Sequence, residues 1–189
     1  MKSICIFCGS NMGKDPVYQQ GAKELGFLLA EKKIRLIYGG SDMGMMGTVA
    51  DACLKNGGEA VGVIPRNLFD IEISHPNLTD LKVVDTMHER KALMSELSDG
   101  FIAMPGGIGT LEETFEILTW IQLGIQLKPL GLLNIAGFFD PLRLFLENVV
   151  EKGFLLDQHL SMLLMEENAQ DLLSSMAVNK PIKIKKWIN

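Results

Sequence analysis

Three groups of residues in this chain have types and spacings suited to chemistry. The first is Met104-Pro-Gly-Gly-Ile-Gly-Thr-Leu-Glu-Glu-Thr-Phe-Glu116, where a proline and three glycines lead into threonine and a cluster of acids. Glycine lets a backbone approach a ligand closely, and free N–H groups at a helix start attract an anion. The stretch reads as a phosphate cradle with the carboxylates of Glu112, Glu113 and Glu116 beside it. The second group is Asp85-Thr-Met-His-Glu-Arg-Lys91, which offers Arg90 and Lys91 as cations for a phosphate or ribose. The third is Cys5 and Cys8, at a C-x-x-C spacing that invites a metal or redox reading.

Each group also has a plainer explanation. Thr110-Leu-Glu-Glu113 fits a capping box, in which threonine and glutamate satisfy the donors at a helix start. Acids in a first turn also suit the helix dipole. Against this, carboxylates beside a bound anion are repelled unless their placement serves a function. Arg90 and Lys91 could simply belong to a solvated helix start, and His88 alone is no basis for a catalytic role. Cys5 and Cys8 lie at a strand end, where residues three apart point to opposite faces, and no second C-x-x-C completes a zinc site. With Cys53 they are expected to be small buried or semi-buried residues in a reducing compartment, with no metal bound.

The elements that must carry these groups alternate in type. Strands are predicted at residues 4–7, 35–38, 60–64, 81–84, 101–104 and 130–133. Helices are predicted at 16–32, 44–55, 88–97, 110–123, 141–152 and 169–176, the first behind an Asp15 N-cap with Pro16 at its first position. Residues 66–77 read as polar and irregular, and 180–186 as a basic tail. Short apolar strands without alternation imply a parallel sheet covered on both faces. The expected fold class is therefore α/β, a single Rossmann-like doubly wound domain spanning residues 1–189. Ligands of such sheets bind beyond the carboxyl ends of the strands. Three of those ends carry glycine: Cys8-Gly9-Ser10, Tyr38-Gly39-Gly40-Ser41 and Pro105-Gly106-Gly107.

Bulk composition narrows the partners. At 189 residues, 47% hydrophobic and 22% charged, the chain has ordinary globular composition. A net charge of −5 argues against nonspecific nucleic-acid binding, though not against a small anion held by local amides. No apolar run is long enough to span a bilayer, and the first apolar strand is too short for a signal core, so no membrane partner and a cytoplasmic location are expected.

Two familiar phosphate motifs fit poorly. Gly9-Ser-Asn-Met-Gly13-Lys14-Asp15 is one residue short of a Walker A loop, and Asp15 replaces the hydroxyl residue that would hold magnesium. Gly107-Ile108-Gly109 could open a dinucleotide fingerprint, but Glu112 takes the third glycine position and no acid ends the following strand.

Pro105-Gly-Gly-Ile-Gly-Thr-Leu-Glu-Glu113 resembles the P-G-G-x-G-T-x-x-E signature of the Lonely Guy (LOG) family, the cytokinin-activating phosphoribohydrolases. Met87-His-Glu-Arg-Lys91 resembles the second hallmark of that family. Further likenesses run in order from about residue 3 to residue 155, including Phe7-Cys-Gly-Ser10, Gly62-Val-Ile-Pro65 and Thr119-Trp-Ile-Gln-Leu-Gly124. The resemblance implies hydrolysis of the N-glycosidic bond of an adenosine-type 5′-monophosphate, plain or prenylated, with no cofactor. It implies Arg90 and Glu113 as the catalytic pair. Lys91, Gly106, Gly107, Ile108, Gly109, Thr110, Leu111 and Glu112 would line the substrate site, with Glu72 and Thr119 as further contacts. It also implies a homodimer. Two positions depart from the family pattern: Ser41 stands where a third glycine is usual, and Ile108 where tyrosine is common. Members are often labelled lysine decarboxylases, but no dedicated lysine site for pyridoxal phosphate is visible. A noncatalytic nucleotide-binding or carrier module stands as the alternative.

Overall fold

The computed structural model describes residues 1–69, 74–179 and 181–182. Its strands are β1 (Ser3–Phe7), β2 (Arg35–Tyr38), β3 (Ala60–Pro65), β4 (Asp80–Val84), β5 (Phe101–Ala103), β6 (Leu130–Leu133) and β7 (Leu163–Glu166). They form one sheet in the order β4-β3-β2-β1-β5-β6-β7, every pair parallel. Helices α1 (Pro16–Glu31), α2 (Gly44–Lys55), α3 (Arg66–Phe69), α4 (Met87–Glu96), α5 (Ile108–Gln122), α6 (Asp140–Glu151), α7 (Asp157–Leu160) and α8 (Ala169–Val178) complete the described chain, with a 3₁₀ turn at Ile135–Gly137. This is the doubly wound parallel sheet that the alternating pattern predicts.

The central strands read as unbroken apolar runs because both of their faces are buried. Ile4, Ile6 and Cys8 pack with Leu25 and Leu29 of α1, Val49 and Cys53 of α2, and Leu172 of α8. Cys5 and Phe7 pack instead with Met94 of α4 and with Ile117 and Ile121 of α5. Each such side chain withdrawn from water contributes about 1.5–3 kcal/mol. Cys5 and Cys8 thus serve opposite layers, and all three cysteines are free and buried. The metal or redox reading of the pair has no geometric support.

Strand order reverses at β1, which lies between β2 and β5. The chain leaves β2 and β5 in opposite directions along the sheet, and a crevice opens between the loops that follow β1 and β5. A backbone bond from Gly9 N to Pro105 O, 3.1 Å, joins the two loops. A second, from Met45 N to Gly9 O at 3.1 Å, ties in the start of α2. The three glycine-bearing strand ends are therefore neighbours at one edge of one sheet.

Several elements differ from expectation. β7 and α7 are additional, and α3 occupies the start of the stretch read as irregular. Four residues such as Leu163-Leu-Met-Glu166 are too few to display a period, and this strand lies half-buried at the sheet edge. α5 begins at Ile108, two residues before the predicted start. The basic tail falls outside the described residues except for 181–182.

Candidate active site

The loop after β5 delivers Pro105, Gly106 and Gly107 to the crevice, and α5 starts at once behind them. Gly107 is the N-cap and has no side chain to satisfy the helix-start donors. The first-turn amides of α5 therefore remain available to an anion, assisted by the helix dipole. A Cβ built on Gly107 or on Gly109 meets no atom within 4 Å. Packing does not require glycine at either position, and the open space beside both leaves the backbone accessible to close approach. Gly106 is different, because a side chain there would strike Thr110 and stand 2.8 Å from the backbone nitrogen of Gly9.

This start rules out the capping-box explanation of Thr110 and Glu113. Thr110 lies within the helix, is buried, and its carbonyl accepts from Thr114 Oγ1 at 2.6 Å. The capping grammar operates on α4 instead. Thr86 caps that helix by accepting from Glu89 N at 3.1 Å, and Glu89 Oε2 reaches back to Asp85 N at 2.9 Å.

α4 carries the two cations. Arg90 is buried, with its guanidinium beside Gly39 at the end of β2 and Met46 of α2. A side chain on Gly39 would collide with the guanidinium, so this glycine is a socket for it. Arg90 Nη1 contacts Met87 Sδ at 3.6 Å, and Nε finds no hydrogen-bond partner among the described residues. A buried cation so weakly partnered is poised for an anion. Lys91 is committed elsewhere: Nζ bonds Glu112 Oε1 at 2.7 Å and Glu116 Oε1 at 3.0 Å. Burial alone would lower its pKa, but the two glutamate hydrogen bonds outweigh that and hold the ammonium above its ordinary value.

Glu113 lies one turn beyond the first-turn amides, half-buried, and its carboxyl accepts no hydrogen bond among the described residues. Burial pushes its carboxyl up to about 7; Glu112 and Glu116 add to the rise, while Arg90 and Lys91 oppose it. A carboxyl near neutrality can act in either protonation state at physiological pH.

These residues share one cleft of 340 Å³. Arg90, Lys91, Gly107, Ile108, Gly109, Thr110, Glu112 and Glu113 all line it, joined by Cys8, Gly9, Ser10, Met46 and Met87. Gly106 lines an adjoining hollow with Gly107. Leu111 turns away and packs on Ala103, Leu132 and Phe139. Thr119 stands about 9 Å beyond Glu113 along α5. It lines a separate 170 Å³ cavity with Phe115, Leu146 and Phe154. Glu72 lies outside the described residues. Ser41 is buried, and its Oγ accepts from Met43 N at 3.2 Å, so a hydroxyl braces the loop where glycine is usual. Met46 joins the cleft without having been singled out in the sequence, whereas Gly39 belongs to a strand end that the sequence already places at the ligand edge. The glycine repeat at the end of β2 was the available signal for Gly39.

The family model described as "Possible lysine decarboxylase" matches residues 46–176. A cytokinin riboside 5′-monophosphate phosphoribohydrolase of Arabidopsis thaliana is 43% identical over 180 residues, covering 95% of this chain and 83% of its own. One from Rhodococcoides fascians is 49% identical over 155 residues, covering 82% of this chain and 78% of its own. The chain belongs to the LOG family. Among solved structures, a molybdenum cofactor binding protein from Rippkaea orientalis superposes with a TM-score of 0.69 at 22% identity, covering 94% of this chain and 99% of that one. The molybdenum cofactor carrier protein of Chlamydomonas reinhardtii gives 0.70 at 18% identity, covering 93% and 94%. At such identities these two show a shared fold. The stretch Pro105–Glu113 thus combines, in one loop and the first two turns of α5, an uncapped helix start and a carboxyl raised to about 7.

Proposed function

We propose that this chain hydrolyses the N-glycosidic bond of an adenosine-type nucleoside 5′-monophosphate, releasing the free base and ribose 5-phosphate. The observation that carries this reading is Glu113: a half-buried carboxyl raised to about 7, one turn from an uncapped helix start and facing the under-partnered cation Arg90. Cleaving a ribosyl–base bond develops oxocarbenium character on the sugar. As a carboxylate, Glu113 stabilises that charge or draws a proton from the attacking water. Arg90 holds the substrate and assists the departing purine. The first-turn amides of α5, with Gly106, Gly107, Gly109 and Thr110, anchor the 5′-phosphate and supply binding energy remote from the broken bond. Lys91, Glu112 and Ile108 form the rim of the cleft.

Both plain AMP and N6-prenylated AMP fall within this reading, AMP nucleosidase activity included. Incubation with each, followed by chromatography for free base, tests it. Release of base from at least one is expected; measurable binding without release from either would leave a nucleotide-binding carrier instead.

We further read the protein as a cytoplasmic homodimer. Its three free thiols suit a reducing compartment. Phe154, 85% exposed, lines a cavity with Thr119, Phe115, Leu118 and Val149, an apolar surface suited to a second copy.

A further inference from the structure

Two methionine sulfurs neighbour the guanidinium of Arg90. The capping box of α4 fixes Met87 at the first position of the helix, and a spacing of three residues brings its side chain onto the face of Arg90. Met87 Sδ lies 3.6 Å from Arg90 Nη1. Met46 Sδ stands 3.1 Å from the point that a Cβ on Gly39 would occupy, which is the point the guanidinium crowds. A thioether is a soft, weak acceptor. It holds the cation by contact and leaves its donors unspent, and Nε has no partner among the described residues.

The two sulfurs differ in access. Met46 is buried, whereas Met87 is 42% exposed and lines the cleft. Met1, Met12 and Met43 are also exposed, but none of them lines that cleft, and Met12 Sδ instead accepts from Thr48 Oγ1 at 3.4 Å. A hydroperoxide in solution therefore meets one thioether that touches Arg90. In its reaction the sulfur lone pair attacks the peroxide hydroxyl oxygen, an S–O bond forms and the O–O bond breaks. The hydroxyl proton passes to the departing oxygen, which leaves as water or an alcohol. Sulfur is oxidised by two electrons and the peroxide is reduced by two. The sulfoxide is polar, and its oxygen accepts hydrogen bonds far better than the thioether does. With the sulfur already 3.6 Å from Nη1, that oxygen comes within hydrogen-bond reach of the guanidinium.

We propose that Met87 is an oxidation site that regulates the cleft: a hydroperoxide converts its thioether to the sulfoxide, which occupies the free donors of Arg90 and weakens the hold on an anionic substrate. The identity of that substrate rests on the nucleotide reading above; the placing of sulfur against the guanidinium does not.

Mild treatment with hydrogen peroxide, with sulfoxides located by peptide mass spectrometry and AMP affinity measured by calorimetry, tests the proposal. In the parent, affinity for AMP should fall about fivefold or more in step with the Met87 sulfoxide fraction. Methionine sulfoxide reductases of both epimer specificities should restore it. Each variant is compared with its own untreated form. Met87→Leu should change by less than about twofold on treatment, whereas Met12→Leu with Met43→Leu should show the parental loss. If Met87→Leu does not fold, recovery by the reductases against the Met87 sulfoxide fraction decides alone. Three results would each overturn the proposal: an affinity loss that persists in Met87→Leu, full oxidation of Met87 without loss, or a Met87 that stays reduced while Met12 and Met43 oxidise. In all three, AMP binding and hydrolysis by the untreated parent stand. An untreated parent that neither binds nor cleaves AMP or its N6-prenylated analogue would remove the nucleotide reading and this regulation together.

Discussion

At the scale of single residues, the role proposed for Glu113 has a consequence for fold stability. Its carboxyl is raised to about 7 chiefly by burial, against an ordinary value of 4.5. Below about pH 4.5 the group is protonated in both folded and unfolded chains and costs nothing. As pH climbs from there towards 7 the unfolded chain ionises first, so the fold loses stability, and the loss is constant above 7. Glu113→Gln should therefore be about 1–3 kcal/mol more stable than the parent at pH 8, with the difference vanishing near pH 4.5 in denaturant titrations. The same variant should lose turnover by about 10³-fold while still binding AMP in calorimetry, and parent kcat/KM should rise through pH 7 as the carboxylate forms. Undiminished activity would dismiss the assigned role. The acids beside the glycines were legible as a motif, but their purpose was not. A T-x-x-E spacing occurs at both Thr86 and Thr110, and only the fold decides which one caps a helix.

At the scale of elements, the start of α5 separates packing from ligand binding. Gly109 is helical, and a methyl group there meets nothing. Gly109→Ala should stabilise the protein by about 0.5–1 kcal/mol through helix propensity, read as a higher melting temperature. If the space above it belongs to the phosphate, the same substitution should raise KM for AMP by about 10-fold or more. A stabilised variant with unchanged KM would move the phosphate elsewhere. The glycine-rich strand ends showed in the sequence where this loop must lie, because conformational freedom is written in residue type. Arg90's socket at Gly39 was not visible, since β2 and α4 meet only through the sheet order. β7 was also missed, because four half-buried edge residues carry no periodic signal.

At the scale of the whole molecule, the proposed homodimer makes the apolar surface near Phe154 and Thr119 the place to test assembly. Phe154→Asp should shift light-scattering mass from twice the monomer to the monomer. Loss of activity along with the second copy would mean that the cleft draws residues from its neighbour; full activity in the monomer would mean that it does not. The doubly wound class was readable because every central strand is buried on both faces. The order of strands was not, as it depends on pairings far apart in the chain. One of those pairings bears on how the protein comes into being. β1 joins β5 with Cys5 opposite Phe101, a closure across about a hundred residues, whereas β1–β2 and β2–β3 close over much shorter spans. Long closures are the slow ones in folding. On a growing chain the first four strands can assemble while β1 still has an open edge. The crevice exists only once β5 pairs with that edge, so the candidate site is born late, at the seam where the two halves of the sheet meet.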